Sequence, residues 1–311
     1  MKLEDILDSR SFPQEEHLIT IIMHTSSTVW KEHELGKRDI DAWLSNFKGE
    51  VFSERHERLM ALWLLSHFTF YNQAEVQRLC QVVYKDLIHL IIANGSSLGK
   101  SPEDAVNDFF ASANIVPCEQ MSGSGGFVAY LFRQQNDLPI NLFNYSAENV
   151  SNAVENIITI DDVTLTGKRG QMARFLRKHN SRLKSKKIYL LTLLSSESAT
   201  QYLKSTFNIE VVTAIQMDNR DKCFNRQSDI FSSFPSLLTP VKRFAEHYGK
   251  KIGIVHPLGY ADGQYTFGFF YNAPDNTLPI FWAQVNNWIP IVRRHHKLYR
   301  YTRLLHYERF V

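Results

Sequence analysis

The stretch Asn156–Gly170, NIITIDDVTLTGKRG, decides how this chain is read. It opens on Ile157, Ile158, Thr159 and Ile160, a short β-branched run without alternation. A strand buried on both faces of a parallel sheet has this composition. Two carboxylates, Asp161 and Asp162, stand at its end. A small polar loop follows, Thr164 to Gly170, and then Met172, Phe175 and Leu176 at helical spacing. Strand, acids, Thr/Gly loop and helix N-terminus come in immediate succession. In an open α/β sheet, ligands bind outside the carboxyl ends of the strands, where this loop is expected.

Each part suits a phosphorylated sugar. Free backbone N–H groups at a helix start, with the positive end of its dipole, attract phosphate. Gly167 and Gly170 let the backbone approach closely. Thr164 and Thr166 add hydroxyl donors. The two aspartates only accept, so they suit the neutral hydroxyls of a ribose one step away from the phosphate. The other reading of the same residues is a nucleotide-binding or receiver-like strand with an incidental acid pair.

From Ile157 through Gly167 the stretch resembles the phosphoribosyl pyrophosphate (PRPP) motif of type I phosphoribosyltransferases. Lys168 and Arg169 stand where that family usually has a second Gly and then Thr or Ser. Both are cations, so phosphate binding survives the departure. The resemblance implies that Asp161 and Asp162 hold the ribose hydroxyls. It implies that Thr164, Thr166, Gly167, Lys168, Arg169 and Gly170 hold the 5′-phosphate. It also implies Mg²⁺ as cofactor, carried with PRPP rather than ligated directly by the protein.

One βα unit earlier, Ile115 to Cys118 reads as the first strand of the sheet, followed by a Gly/Ser loop, a helix over 127–135 and a short strand over 140–143. The loop, Ser122, Gly123, Ser124, Gly125 and Gly126, offers unobstructed N–H groups as an anion cradle. Its position matches the family's pyrophosphate loop; an ordinary glycine turn is the alternative. After the motif helix, strands over 187–193 and 209–214 alternate with a helix over 197–207, which Ser195 or Ser196 caps. The expected fold is α/β, a mostly parallel sheet with flanking helices, an N-terminal helical region over 1–111 and a phosphoribosyltransferase-like domain over 112–311.

Residues 1–111 read as helices throughout. Asp39, Ser53 and Ser101 are candidate N-caps, and Asn94-Gly95 a candidate C-cap. A bundle packed on the core is favoured over a winged-helix DNA module, because no wing-like strand pair follows and the region is not basic. Its histidines, His17, His24, His33, His56, His67 and His89, show no metal spacing.

Residues 216–236 look like an irregular lid or loop, and 239–248 like a helix capped by Gly249. The segment 253–282 reads as turn, strand (265–271), loop and second strand, an aromatic hairpin. PLGY…NAPDNTLPIFW, with WLSNF and ALWLLSHFTFY near the start, resembles a PRTase-CE-like group of proteins in bacterial conflict and antiphage systems, some of them retron- or tellurite-operon-associated. In that group the hairpin would border the ribose site; a hairpin that merely closes the sheet edge is the other reading.

The 311 residues, 44% of them apolar, are enough for a large core. The net charge of +3 hides its distribution. From Val163 through Ser196 there is no Asp or Glu, while Lys168, Arg169, Arg174, Arg177, Lys178, Arg182, Lys184, Lys186 and Lys187 are present. A second basic run, Arg293 to Phe310, interleaves tyrosines. Such fields suit polyanions, and the tail suits either single-stranded nucleic acid or an amphipathic helix. Cys80, Cys118 and Cys223 lack metal or disulfide spacing and imply a reduced, cytoplasmic protein. The N-terminus does not read as a signal peptide, and no apolar run reaches the roughly 18 residues of a membrane span.

The expected function is that of a phosphoribosyltransferase-like transferase in antiviral defence, with a defence-system protein partner. The catalytic base and the acceptor stay open. The alternative is a catalytically inactive nucleotide-sensing or nucleic-acid-associated subunit.

Overall fold

A computed structural model of the chain describes residues 3–118, 123–144 and 146–294, with Arg169 and Asn180 described by their backbone. The elements, in order, are α1 (Leu3–Leu7), α2 (Glu15–Thr25), α3 (Lys37–Leu44), α4 (Glu54–Ser66), β1 (Thr69–Tyr71), α5 (Gln73–Ser96) and α6 (Pro102–Ala111). Then come β2 (Ala113–Ile115), α7 (Ser124–Gln135), β3 (Asn156–Thr164), α8 (Gln171–Lys178), α9 (Asn180–Leu183) and β4 (Lys187–Ser196). The last are α10 (Glu197–Phe207), β5 (Glu210–Met217), α11 (Leu238–Ile252), β6 (Phe267–Phe269) and α12 (Pro279–Trp282).

Local chemistry sets the helix starts. Ser53, Ser101 and Ser196 each accept from a backbone N–H of the first turn of their helix. Asn72 and Glu75 form a reciprocal capping box at α5, with bonds of 3.0 and 2.9 Å. Asp39 is not an N-cap: α3 begins at Lys37, and Asp39, one turn in, accepts from the Gly36 N–H at 2.8 Å.

The main sheet is parallel, in the order β2-β3-β4-β5. β3 lies inside it, with β2 on one side and β4 on the other. Alternate side chains face opposite layers. Ile158 and Ile160 pack with α5, α6 and α7, while Ile157 packs with α8 and α10. The expected strand over 140–143 is a 3₁₀ turn, Ile140–Leu142, but Phe143 still forms a parallel bridge to Ile115. The chain therefore leaves β2 outward through α7, touches the far edge, and returns to start β3. After β3 it runs the other way, through α8 on the opposite layer. The strand order reverses between β2 and β3, and a crevice opens there at their carboxyl ends.

Helices α1–α4 share one apolar core with α11 and α12, built on Trp43, Leu62, Phe244 and Phe281. Helices α5 and α6 instead pack on the main sheet. The helical residues before 111 thus divide between two cores. Joining the cores is a second, two-stranded sheet in which β1 pairs in parallel with β6, Thr69 opposite Phe267. The expected hairpin over 265–282 is corrected accordingly. β6 takes its partner from nearly two hundred residues away, and the expected second strand is the helical turn α12.

The expected lid over 216–236 consists of 3₁₀ turns that place Cys223, Phe224 and Phe231 in the core. Helix α11 runs through Gly249 to a left-handed cap at Gly253 (φ 85°). None of the three cysteines is in a disulfide. Among the described residues no helix is long and apolar enough to cross a membrane.

Glu57 ties the first core together. Its buried carboxylate accepts from the N–H groups of Gly49 (2.7 Å), Val51 (2.7 Å) and Phe52 (3.1 Å), and from the Tyr248 hydroxyl (2.5 Å). Glu57→Gln is expected to cost on the order of 3 kcal/mol, because one carboxamide oxygen replaces an acceptor serving four donors. Tyr248→Phe should cost about 1 kcal/mol. Urea denaturation checks both, and an unchanged midpoint in Glu57→Gln would contradict the account. Gly249 meets Pro257 so closely that an added Cβ would lie 2.2 Å from its carbonyl oxygen. Gly249→Ala should therefore lose about 1–3 kcal/mol, read as a lower calorimetric Tm.

Candidate functional site

The crevice at the strand-order reversal is a cleft of about 280 Å³. Strand β3 brings Asp161, Asp162 and Thr164 to it, and the loop after β3 brings Thr166, Gly167 and Gly170. β3 runs four residues past Ile160, where its apolar run ends. Both acids are thus inside the strand and held by its pairing, with Asp161 opposite Thr192. Successive strand residues face opposite layers, so the two carboxylates diverge. Asp162 lies on the side of Ile158 and Ile160, Asp161 on the side of Ile157.

The carboxylates are positioned from behind. Asp161 Oδ1 accepts from the Asp162 N–H at 3.0 Å, and Asp162 Oδ1 from the Val163 N–H at 2.9 Å. The Tyr271 hydroxyl donates to Asp162 Oδ2 at 3.4 Å. Its ring lies nearly parallel to Phe269, centroids 5.3 Å apart, and 4.9 Å from Phe127 of α7. Burial, and then the nearby Asp162 charge, push the Tyr271 phenol well above its ordinary pKa, so it stays a neutral donor.

The loop is held by the end of β4. Ser195 Oγ donates to the Thr164 carbonyl at 3.2 Å and Ser196 Oγ to the Leu165 carbonyl at 3.0 Å. Gly167 takes φ 44°, and an added Cβ would press on Tyr202 and Ala199 of α10 at 3.1–3.2 Å. Glycine is therefore required there by both conformation and space. Gly170 caps α8, whose first N–H groups have no intrahelical partners. Thr164 Oγ1 is buried and finds no hydrogen-bond partner among the described residues. Thr164 lines the cleft, and a bound oxygen ligand that reached its buried hydroxyl would satisfy it.

Of the Gly/Ser loop, Gly123 caps α7, Ser124 lines the same cleft and Gly125 is buried in the first turn. Ser122 lies outside the described residues. Asp161, Asp162, Thr164, Thr166, Gly167, Gly170 and Ser124 thus meet in one cleft. Lys168 is exposed and is not among the lining residues; its carbonyl accepts from Arg177 at 3.2 Å. The side chain of Arg169 lies outside the described part of the structure.

The opposite wall comes from the segment after β6, with Asn272, Pro274, Asp275 and Asn276, and from Tyr260. Arg294 completes it. Sequence reading placed Tyr271 and the NAPDN stretch in a hairpin expected to border the ribose site, and Arg294 in a basic tail. Arg294 had no assigned role in this cleft, and only its place in the tertiary structure reveals one. Among the described residues no group of three or more His, Cys, Asp or Glu could hold a metal ion. A Mg²⁺ here would rely on the phosphates and water, with Asp161, Asp162 and Asp275 as the carboxylates lining the cleft.

Part of the basic run has structural duties. Arg177 bonds the Lys168 carbonyl and Tyr202, Arg182 bonds the Glu148 carbonyl, and Lys186 bonds the carbonyls of Ser151, Asn152 and Val154. The basic tail beyond Arg294 lies outside the described residues.

Solved structures are similar over part of the chain. Orotate phosphoribosyltransferase from Aeropyrum pernix aligns at 15% identity over 43% of this chain and 70% of its own, with a TM-score of 0.26. The xanthine-guanine-hypoxanthine phosphoribosyltransferase of Helicobacter pylori aligns at 10% identity over 49% of this chain and 85% of its own, with a TM-score of 0.30. No curated protein matches the chain. The PRTase-CE family model matches residues 40–294, and the chain belongs to that phosphoribosyltransferase-like family.

Proposed function

We propose that the cleft binds PRPP or a related ribose phosphate and that the protein transfers or senses the ribosyl group. The observation that carries this reading is the convergence of two buried carboxylates, the partnerless Thr164 hydroxyl and the Gly170-capped start of α8 on one cleft. Acceptors suited to a diol and donors suited to a phosphate line the same cleft, as a ribose 5-phosphate requires. Asp161 and Asp162 take the ribose hydroxyls. Thr164, Thr166 and the backbone of 167–170 take the 5′-phosphate. Ser124 and the α7 start face the pyrophosphate. The chain's own contribution is positioning and fixed donors aimed at the leaving group. Mg²⁺ arriving with PRPP adds charge neutralisation. The resemblance of the PLGY…NAPDNTLPIFW stretch to a group of conflict-system proteins is the ground for reading the chain as an antiviral defence effector with a protein partner.

PRPP with Mg²⁺ at about a hundred times its Kd should stabilise the fold by roughly 2.7 kcal/mol, a melting shift of several degrees. Asp162→Asn keeps the shape and removes the charge. It should weaken binding roughly tenfold to hundredfold. The absence of any shift in the natural protein at millimolar PRPP would contradict the reading, as would an equal shift in Asp162→Asn.

A further inference from the structure

We propose that Arg294 is a phosphoryl-binding residue of this cleft and that its guanidinium takes the pyrophosphate group; the inference rests on the ribose-phosphate reading above. Arg294 sits outside the strand-loop-helix motif, near the end of the described chain. It is nevertheless built in. The N–H groups of Ile291 and Val292 both donate to the Phe281 carbonyl, at 2.8 and 3.0 Å, and pin the segment just before it. The guanidinium lies over the Trp282 ring at 4.8 Å. That ring is fixed in turn by its Nε1–H, which donates to the Thr277 carbonyl at 2.8 Å. On its edge, Arg294 Nη1 donates to the Ala273 carbonyl, and Nη2 stands 3.8 Å from Asp275 Oδ2.

This arrangement is incomplete for a buried cation. The side chain is only 14% exposed, and its one ion pair among the described residues is too long for a hydrogen bond. A guanidinium carries five donors in a rigid fork, and the carbonyl of Ala273 occupies one side of it. Burial pulls its pKa down, with Asp275 and then Asp162 pulling it back up, so it lies within electrostatic reach of the proposed ribose acid. Burying a charge with partial compensation is costly unless an anion completes it. Arg294 lines the cleft, and a phosphoryl group can pair bidentately with its donor fork.

The pyrophosphate end is favoured over the 5′-phosphate end by the wall from which Arg294 projects. That wall begins at Tyr271, which packs on Phe127 of α7, the helix that starts at the Gly/Ser loop. The 5′-phosphate loop leads instead into α8, where exposed Arg174 also lines the cleft. The Gly/Ser loop supplies backbone dipoles but no full charge, whereas a departing pyrophosphate gathers negative charge as its bond breaks.

Isothermal titration of the full chain with Mg²⁺-pyrophosphate, ribose 5-phosphate and PRPP tests the assignment. Arg294→Gln should lower affinity for pyrophosphate and PRPP roughly tenfold to hundredfold and leave ribose 5-phosphate within about twofold. Arg294→Lys keeps the charge without the fork and should recover part of the loss. Asp275→Asn removes the competing carboxylate and should tighten pyrophosphate binding. If Arg294 served only its pairing with Asp275, this variant would weaken binding as Arg294→Gln does. The inference alone falls if the natural protein binds PRPP and Arg294→Gln binds pyrophosphate as well, or loses ribose 5-phosphate equally. Binding of none of the three ligands by the natural protein would overturn both the inference and the function proposed above.

Discussion

Everything functional here depends on the reversal of strand order between β2 and β3. Parallel strands joined by right-handed crossovers can change layers only where the order turns back. At that point the loops after two neighbouring strands leave in opposite directions, and the space between them cannot be filled by either connection. The Phe143 bridge to Ile115 is the small contact that fixes this turn-back. α7 packs on the α5 layer and α8 on the opposite one, so the Gly/Ser and Thr/Gly loops face one cleft.

The site stands on rigid supports. Asp161 and Asp162 are held by strand pairing, and the loop beyond them by Ser195 and Ser196 at the end of β4. The opposite wall is anchored through Trp282 and the parallel pairing of β6 with β1. That pairing makes the N-terminal helices part of the same architecture: the wall of the cleft stays in place only if the first core, centred on Glu57, Trp43 and Phe281, is intact.

What was legible in the sequence was local. The apolar run, the acids, the Thr/Gly loop and the helix phase lie within twenty residues, and Gly167 marks a position that sterics reserve for glycine. The serine caps were readable for the same reason. The misread elements depend on distant partners. Phe267–Phe269 looked like one arm of a hairpin because its partner strand lies near the other end of the sequence. Residues 216–236 looked like a lid because Cys223, Phe224 and Phe231 are spaced without period, yet all three are core. Within the basic run, which suggested a polyanion surface, the bonds of Arg177, Arg182 and Lys186 to backbone carbonyls appear only in the tertiary structure. Arg294 was invisible as a residue of this cleft, since no local pattern distinguishes it from the other basic residues of the tail.

The central claim is that the crevice between β2 and β3 is a ribose-phosphate site. A crystal structure of the protein grown with PRPP and Mg²⁺ tests it most directly. The account predicts the ribose hydroxyls on the carboxylates of Asp161 and Asp162 and the 5′-phosphate on residues 164–170, with Thr164 Oγ1 finding its missing partner. Ligand bound anywhere else, or an empty cleft at saturating PRPP, would contradict it.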